Sequence, residues 1–204
     1  MFLALLPAAA ASTTDAAVVS STLRWVDGWI IKRQLCPFAA AVRPQTRTVV
    51  CRGREAEAAA VLQDEVRALR SVDEQKPATT LLVLPDFHDF ADLMHLQEIE
   101  SMKLDAESDA SGAAAIQLLA FHPRAEFGDD ARDPADLSMR SPHPMLHLLR
   151  DADVEAAEES WARMHAPSEP PGIQERNAAL LRGLGFEAAA AELKEAVGGA
   201  EAPS

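Results

Sequence analysis

The chain has 204 residues, 48% of them apolar and 25% charged, which suits one globular domain, or a domain with a helical appendage, able to bury a real core. Its net charge of −13 is uneven: residues 24–70 hold nine Arg and Lys against five Asp and Glu, residues 71–121 two against ten, and residues 151–204 four against eleven. A broad basic face is thereby excluded, and nucleic acid with it, because neutralising many phosphates requires such a face, whereas a small anion stays compatible.

Residues 1–15 read as a leader. Met1-Phe2-Leu3-Ala4-Leu5-Leu6-Pro7 and the alanines after it resemble a signal-peptide core, but the first basic residue is Arg24. The absence of a basic n-region points to a frayed or packed leader instead of secretion or import. Residues 16–165 form the expected α/β domain. Thr14-Asp15 supplies an N-cap, and Val19, Leu23, Val26 and Ile30 recur at helical spacing, with Trp25 and Trp29 widening a stripe most simply read as core. This helix ends near Leu35-Cys36-Pro37.

Residues 47–51 read as a short strand, followed by an Arg52-Gly53-Arg54 turn and a helix with Ala58, Leu62, Val66 and Leu69 on its apolar face. Residues 79–84 are a continuous apolar run stopped by Pro85. Asp86 then caps a helix carrying Phe90, Leu93, Met94 and Ile99, and a second run, 115–121, is stopped by Pro123. Continuous apolar strands joined by helical connections predict β-α-β-α-β, a small, mostly parallel three-stranded sheet flanked by helices.

Beyond it the chain reads as helical. Pro144 opens a helix to about Ala152, and Asp153 caps another with Val154, Ala157 and Trp161. Residues 166–172 form a linker, helices follow over 173–184 and 186–197 around Gly185 and pack on the same domain, and 198–204 is a disordered tail. No run approaches the length of a membrane span.

Parallel strands would bring their carboxyl ends to one edge, where open α/β sheets bind ligands. Arg52 and Arg54, Asp86 and His88, and His122 and Arg124 follow the three strands, and a loop over 125–139 returns Arg140, Ser141, His143 and His147 to that edge. An antiparallel central strand would break this convergence. Imidazoles move protons near neutral pH and guanidiniums hold carboxylates and phosphates, so the segment reads as a polar site on proline-restricted backbone.

Each residue also has a plain structural role open to it. His122 either bonds a loop carbonyl beside Pro123 or serves catalysis. His143 and His147 share a helix face but lack the glutamate of a zincin, Pro144 standing in its place. Ser141 suits a helix cap better than a nucleophile, and Cys36, at the negative end of a helix dipole, suits buried packing. Cys36 and Cys51 are too few for a disulfide framework or a Cys-based zinc site; a single bridge stays open, and a reducing, cytoplasmic compartment is expected. Glu175-Arg176-Asn177 is either an exposed helix turn or a segment presenting Asn177 to the site.

Leu35-Cys36-Pro37-Phe38-Ala39, Thr79-Thr80-Leu81-Leu82, Phe121-His122-Pro123, the run from Arg140 to Arg150 and Glu175-Arg176-Asn177 together resemble the uncharacterised family catalogued as domain of unknown function 1415, over about Thr22 to Leu184. The resemblance implies that these polar motifs belong to a family pattern; it implies no activity. The departures fall in the leader and the tail.

The leading expectation is an enzyme acting on a small anionic metabolite, with His122 or His147 as general acid/base, Arg140 with Arg150 or Arg124 and Ser141 binding the anion, and Asp86, Cys36, Glu175 and Asn177 in support. A non-catalytic anion-binding or protein-interaction module is the alternative; backbone-satisfied histidines on a shallow surface would favour it. A third reading is a metal ion on His143, His147 and His122 or His88; otherwise no cofactor is called for.

Overall fold

The computed structural model describes residues 8–165 and 171–198. Most of the expected linker and tail, and the start of the leader, lie outside the described residues. Helix α1 (Ala8–Trp25) passes directly into a π-helix (Val26–Ile31), and a short α2 (Ala39–Val42) leads to strand β1 (Thr46–Val50). Then come α3 (Glu55–Arg70), β2 (Thr79–Val83), α4 (Phe90–Ser111), β3 (Ile116–Phe121), a 3-10 turn (Pro134–Ser138), β4 (Met145–Arg150), α5 (Asp151–His165), α6 (Ile173–Leu184) and α7 (Phe186–Ala196).

The sheet has four strands in the order β1-β2-β4-β3. Strands β1 and β2 are parallel, and β4 pairs antiparallel with both β2 and β3. It follows that β1, β2 and β3 all run the same way, with one opposed strand inserted between β2 and β3. The mixed sheet corrects the expected three-stranded, mostly parallel one. The helix expected from Pro144 to about Ala152 is β4, and α5 begins at Asp151, before the expected cap at Asp153. Met145, Leu146 and Leu148 are fully buried, and a six-residue segment with both faces covered reads as an almost continuous apolar run. Periodicity cannot separate such a run from a short buried helix.

Register assigns the two faces. Paired residues Val83, Met145 and Phe121 lie on one face, and so do Leu81, His147 and Leu119. That face packs against Val18, Trp25, Val26, Trp29, Ile30 and Leu35 of the N-terminal helical segment and against Leu181 and Ala189 of α6 and α7. Leu82, Leu118, Ala120, Leu146 and Leu148 face the other way, against Ala58, Leu62, Val66 and Leu69 of α3 and Leu93, Leu96 and Leu104 of α4.

Three local differences bear on the site. The first helix starts at Ala8, ahead of the expected Asp15 cap, and buries Val18, Thr22, Trp25 and Trp29, so the tryptophans define the face, while Val19 and Leu23 stay half-buried. Its end is a Schellman turn: Leu35 N–H bonds Ile30 O at 2.9 Å and Gln34 N–H bonds Ile31 O at 3.0 Å, with Gln34 at φ 54°, the left-handed position usually given to glycine. The α4 cap is Asp89, accepting the Ala91 N–H at 3.0 Å. Asp86 instead accepts the Gly53 N–H at 2.9 Å and ties the turn after β1 to the end of β2. Gly53 sits at φ 137°, and a Cβ there would meet Glu57 Cβ at 2.8 Å, so this turn requires glycine.

Candidate functional site

Because β1, β2 and β3 point the same way, the segments after them share one edge with the start of β4. The antiparallel central strand nevertheless breaks the expected convergence as a whole. His143, just before β4, is nearer that edge than His147, which sits mid-strand, and Arg150 ends β4 at the opposite edge. His143 and His147 share no helix face.

His122, 1% exposed, is fully engaged. Its Nδ1 faces the Arg124 backbone N–H at 3.0 Å, and since an N–H only donates, Nδ1 is the acceptor. The proton therefore sits on Nε2, which donates to Phe87 O at 3.1 Å. Burial is the main reason its ionisation lies below the ordinary histidine value, with the Phe87 bond opposing and Arg124 adding to the depression. The residue locks the 122–125 turn: its backbone N–H bonds Met139 O at 3.1 Å, and its carbonyl accepts the Ala125 N–H at 3.1 Å. Neither ring nitrogen is left over to exchange a substrate proton.

Arg124 and Arg140 hang from that turn. Arg124 donates to His88 O through Nη2, and Arg140 donates through Nε to Ala125 O at 3.1 Å. The Arg140 guanidinium also lies 5.7 Å from the Phe186 ring centre. Among the described residues neither forms an ion pair, although the Arg140 charge favours the ionised form of the nearby Asp136 carboxylate, whereas the neighbouring arginines are paired: Arg52 with Asp15, Arg54 with Asp92, Arg132 with Glu187 and Arg182 with Asp133. The segment bearing Arg140 is clamped from α1 and the π-helix, Trp25 Nε1–H donating to Arg140 O at 2.9 Å and Trp29 Nε1–H to Leu137 O at 3.1 Å. Sequence reading placed both tryptophans in the core and missed this use of their N–H groups; two indoles at helical spacing, each needing an acceptor when buried, are the signal.

Ser141 is buried and donates to His143 O at 2.7 Å, making a turn and not a helix cap. His143 Nε2 meets Ser21 Oγ at 2.7 Å, joining the loop to α1, and burial followed by the charge of Arg52 keeps its ionisation low. His147 Nε2 lies 2.6 Å from Thr79 Oγ1, whose own proton goes to Leu148 O at 2.8 Å, so Nε2 must donate. Burial pulls its ionisation down to about 4 although the residue retains partial exposure, and among the described residues its Nδ1 has no hydrogen-bond partner.

The remaining candidates lie elsewhere. Arg150, 5% exposed, binds Asp153 through Nε at 2.7 Å and Nη2 at 3.1 Å and donates to the carbonyls of Val72, Asp73 and Lys76. Asn177 is buried and donates to Leu35 O at 2.7 Å, while Arg176 donates to Gln34 O, so α6 braces the left-handed turn. Glu175 is exposed on the first turn of α6. Cys36 stands just ahead of α2, where burial raises its ionisation, with the Phe38 and Ala39 backbone and Arg176 opposing. Both cysteines are free.

Among the described residues no three His, Cys, Asp or Glu side chains come together as a metal-holding group, and no helix is long and apolar enough to cross a membrane. No curated protein and no solved structure shows a significant match to the chain. A family match does cover residues 17–191, most of the chain, and the protein accordingly belongs to the family described as Protein of unknown function (DUF1415).

Proposed function

We propose that the strand-end edge binds a small anion, a carboxylate or phosphate, through Arg124 and Arg140, with His122 and Ser141 as scaffold and no chemistry at either. The observation that carries this reading is that two guanidiniums meet at one locked turn, Arg124 on it and Arg140 bonded to its Ala125 carbonyl, each spending part of its N–H set on a main-chain carbonyl and neither in an ion pair among the described residues, amid arginines that are; the charge of Asp136 acts on Arg140 only from beyond ion-pair contact. Guanidinium forks suit planar oxyanions. Glu126, Asp129 and Asp130 on the adjoining loop, in a chain of net charge −13, disfavour polyanions and leave room for a compact ligand.

Isothermal titration with inorganic phosphate and with acetate tests it. Arg140→Gln and Arg124→Gln are each expected to weaken the bound anion about tenfold or more, the worth of a charge-assisted hydrogen bond. Wild-type affinity in both variants, or no binding to wild type, would overturn the reading.

A catalytic reading draws on His147, a half-buried imidazole whose Nδ1 has no hydrogen-bond partner among the described residues. With ionisation near 4 it is neutral and weakly basic at neutral pH, suited to accepting a hydrogen bond more than to driving proton transfer. Metabolite turnover profiled on wild type and His147→Gln separates the two: a product made by the first and not the second would favour an enzyme.

A further inference from the structure

We infer that the ligand taken at this edge is an aryl anion, an aromatic ring carrying a single phosphate or carboxylate; the inference rests on the anion-binding reading and adds its apolar half. Phe127 is 55% exposed, an unusual place for a large aromatic side chain, yet it is not loose. Its ring stands edge-on to Phe90, with centres 5.3 Å apart at 84°, and Phe90 lies 5.6 Å from the buried His122 ring. The Phe127 N–H is held by the Asp136 carboxylate at 3.4 Å.

The same turn that carries Arg124, and whose Ala125 carbonyl holds Arg140, thus continues into an exposed aromatic ring supported from behind. Arg124 reaches back to the His88 carbonyl and the Phe127 ring to Phe90, so the guanidinium and the exposed ring both rest on the 88–90 segment, and an aryl anion held by Arg124 would lay its ring toward Phe127. Stacked or edge-on aromatic contact adds affinity beyond the area covered. Glu126, Asp129 and Asp130 adjoin Phe127 in the chain, a local negative charge that opposes a ligand with a second anionic group.

The test titrates the intact chain with two matched pairs, inorganic phosphate against phenyl phosphate and acetate against benzoate. In whichever pair binds, the aryl member is expected to bind about three- to tenfold tighter to wild type, the range of one aromatic pair contact. Phe127→Ala is expected to level the pair while leaving the plain anion unchanged, and Phe127→Leu to keep only part of the preference; Arg140→Gln weakens both members. Equal affinities within a pair for wild type, or a preference that survives Phe127→Ala, would overturn the aryl inference and leave the anion reading standing. Binding of none of the four would overturn both.

Discussion

One arginine closes β4 and another lies in the segment leading into it, and the fold uses them in opposite ways. Arg150 is buried, its guanidinium divided between Asp153 and three carbonyls of the α3–β2 connection. Arg140 is half-buried, spends one N–H on Ala125 O, leans on Phe186 and keeps the rest of its fork unclaimed by carboxylates among the described residues. Identical chemistry thus serves architecture at one edge of the sheet and recognition, as proposed, at the other. An arginine's role is decided by how many of its donors the fold consumes.

The sharpest way to break the comparison is Arg150→Ala. It strands Asp153 and three carbonyls, and a loss of roughly 3–5 kcal/mol in urea unfolding is expected, since breaking a buried pair leaves an uncompensated charge. A loss under about 1 kcal/mol would mean that the Arg150 end is no more structural than the other.

Next in size is the acid response of His147, between the two ends. Its folded ionisation lies near 4, below the ordinary 6.5, so the unfolded chain takes up the proton first as pH falls. Stability is therefore full above 6.5, declines as pH drops toward 4, and is flat with respect to this group below that. The change amounts to at most about 3 kcal/mol. His122 and His143 are shifted in the same direction. His147→Gln, which keeps a donor for Thr79, is expected to flatten the decline between pH about 7 and about 4.5 relative to wild type; equal slopes would show that this imidazole is not held neutral.

Asn177→Ala extends the locked half of the comparison to α6. Leaving Leu35 O unsatisfied beside the left-handed Gln34 should cost about 1–3 kcal/mol, and Gln34→Gly should recover about 1 kcal/mol by removing the backbone penalty. The same gain from Gln34→Gly with and without Asn177 would show that the brace and the turn are independent, and a gain that differs between the two backgrounds that they are coupled.

Smallest in stability is Arg140→Gln, at about 1 kcal/mol or less in thermal unfolding, even though anion affinity is expected to fall about tenfold. A stability loss as large as that of Arg150→Ala would place Arg140 among the architectural arginines and erase the contrast.

What the sequence determined by itself is local. The apolar runs ending at Pro85 and Pro123, the helix with Ala58, Leu62, Val66 and Leu69 inward, and the α6–α7 break at Gly185 all appear where periodicity and turn chemistry put them, because those signals act between residues a few positions apart. The shared edge for the segments after β1, β2 and β3, Arg124 among them, was likewise legible, since strands that run the same way end at one side.

Tertiary structure alone decided the rest. Whether Met145-Leu146-His147-Leu148-Leu149-Arg150 is strand or helix depends on a vacancy between β2 and β3, partners that begin 66 and 29 residues earlier in the chain (145 minus 79 and 145 minus 116). Once inserted antiparallel, that strand carried Arg150 away from the edge and set His147 beside Thr79. His122 became a strut because the Phe87 carbonyl faces its Nε2 and the Arg124 N–H its Nδ1, while burial keeps it neutral, and Trp25 fixes the segment bearing Arg140 by donating to its carbonyl. Side-chain identity sets which bonds a residue is able to make, and only the packed chain determines which partners are present to accept them.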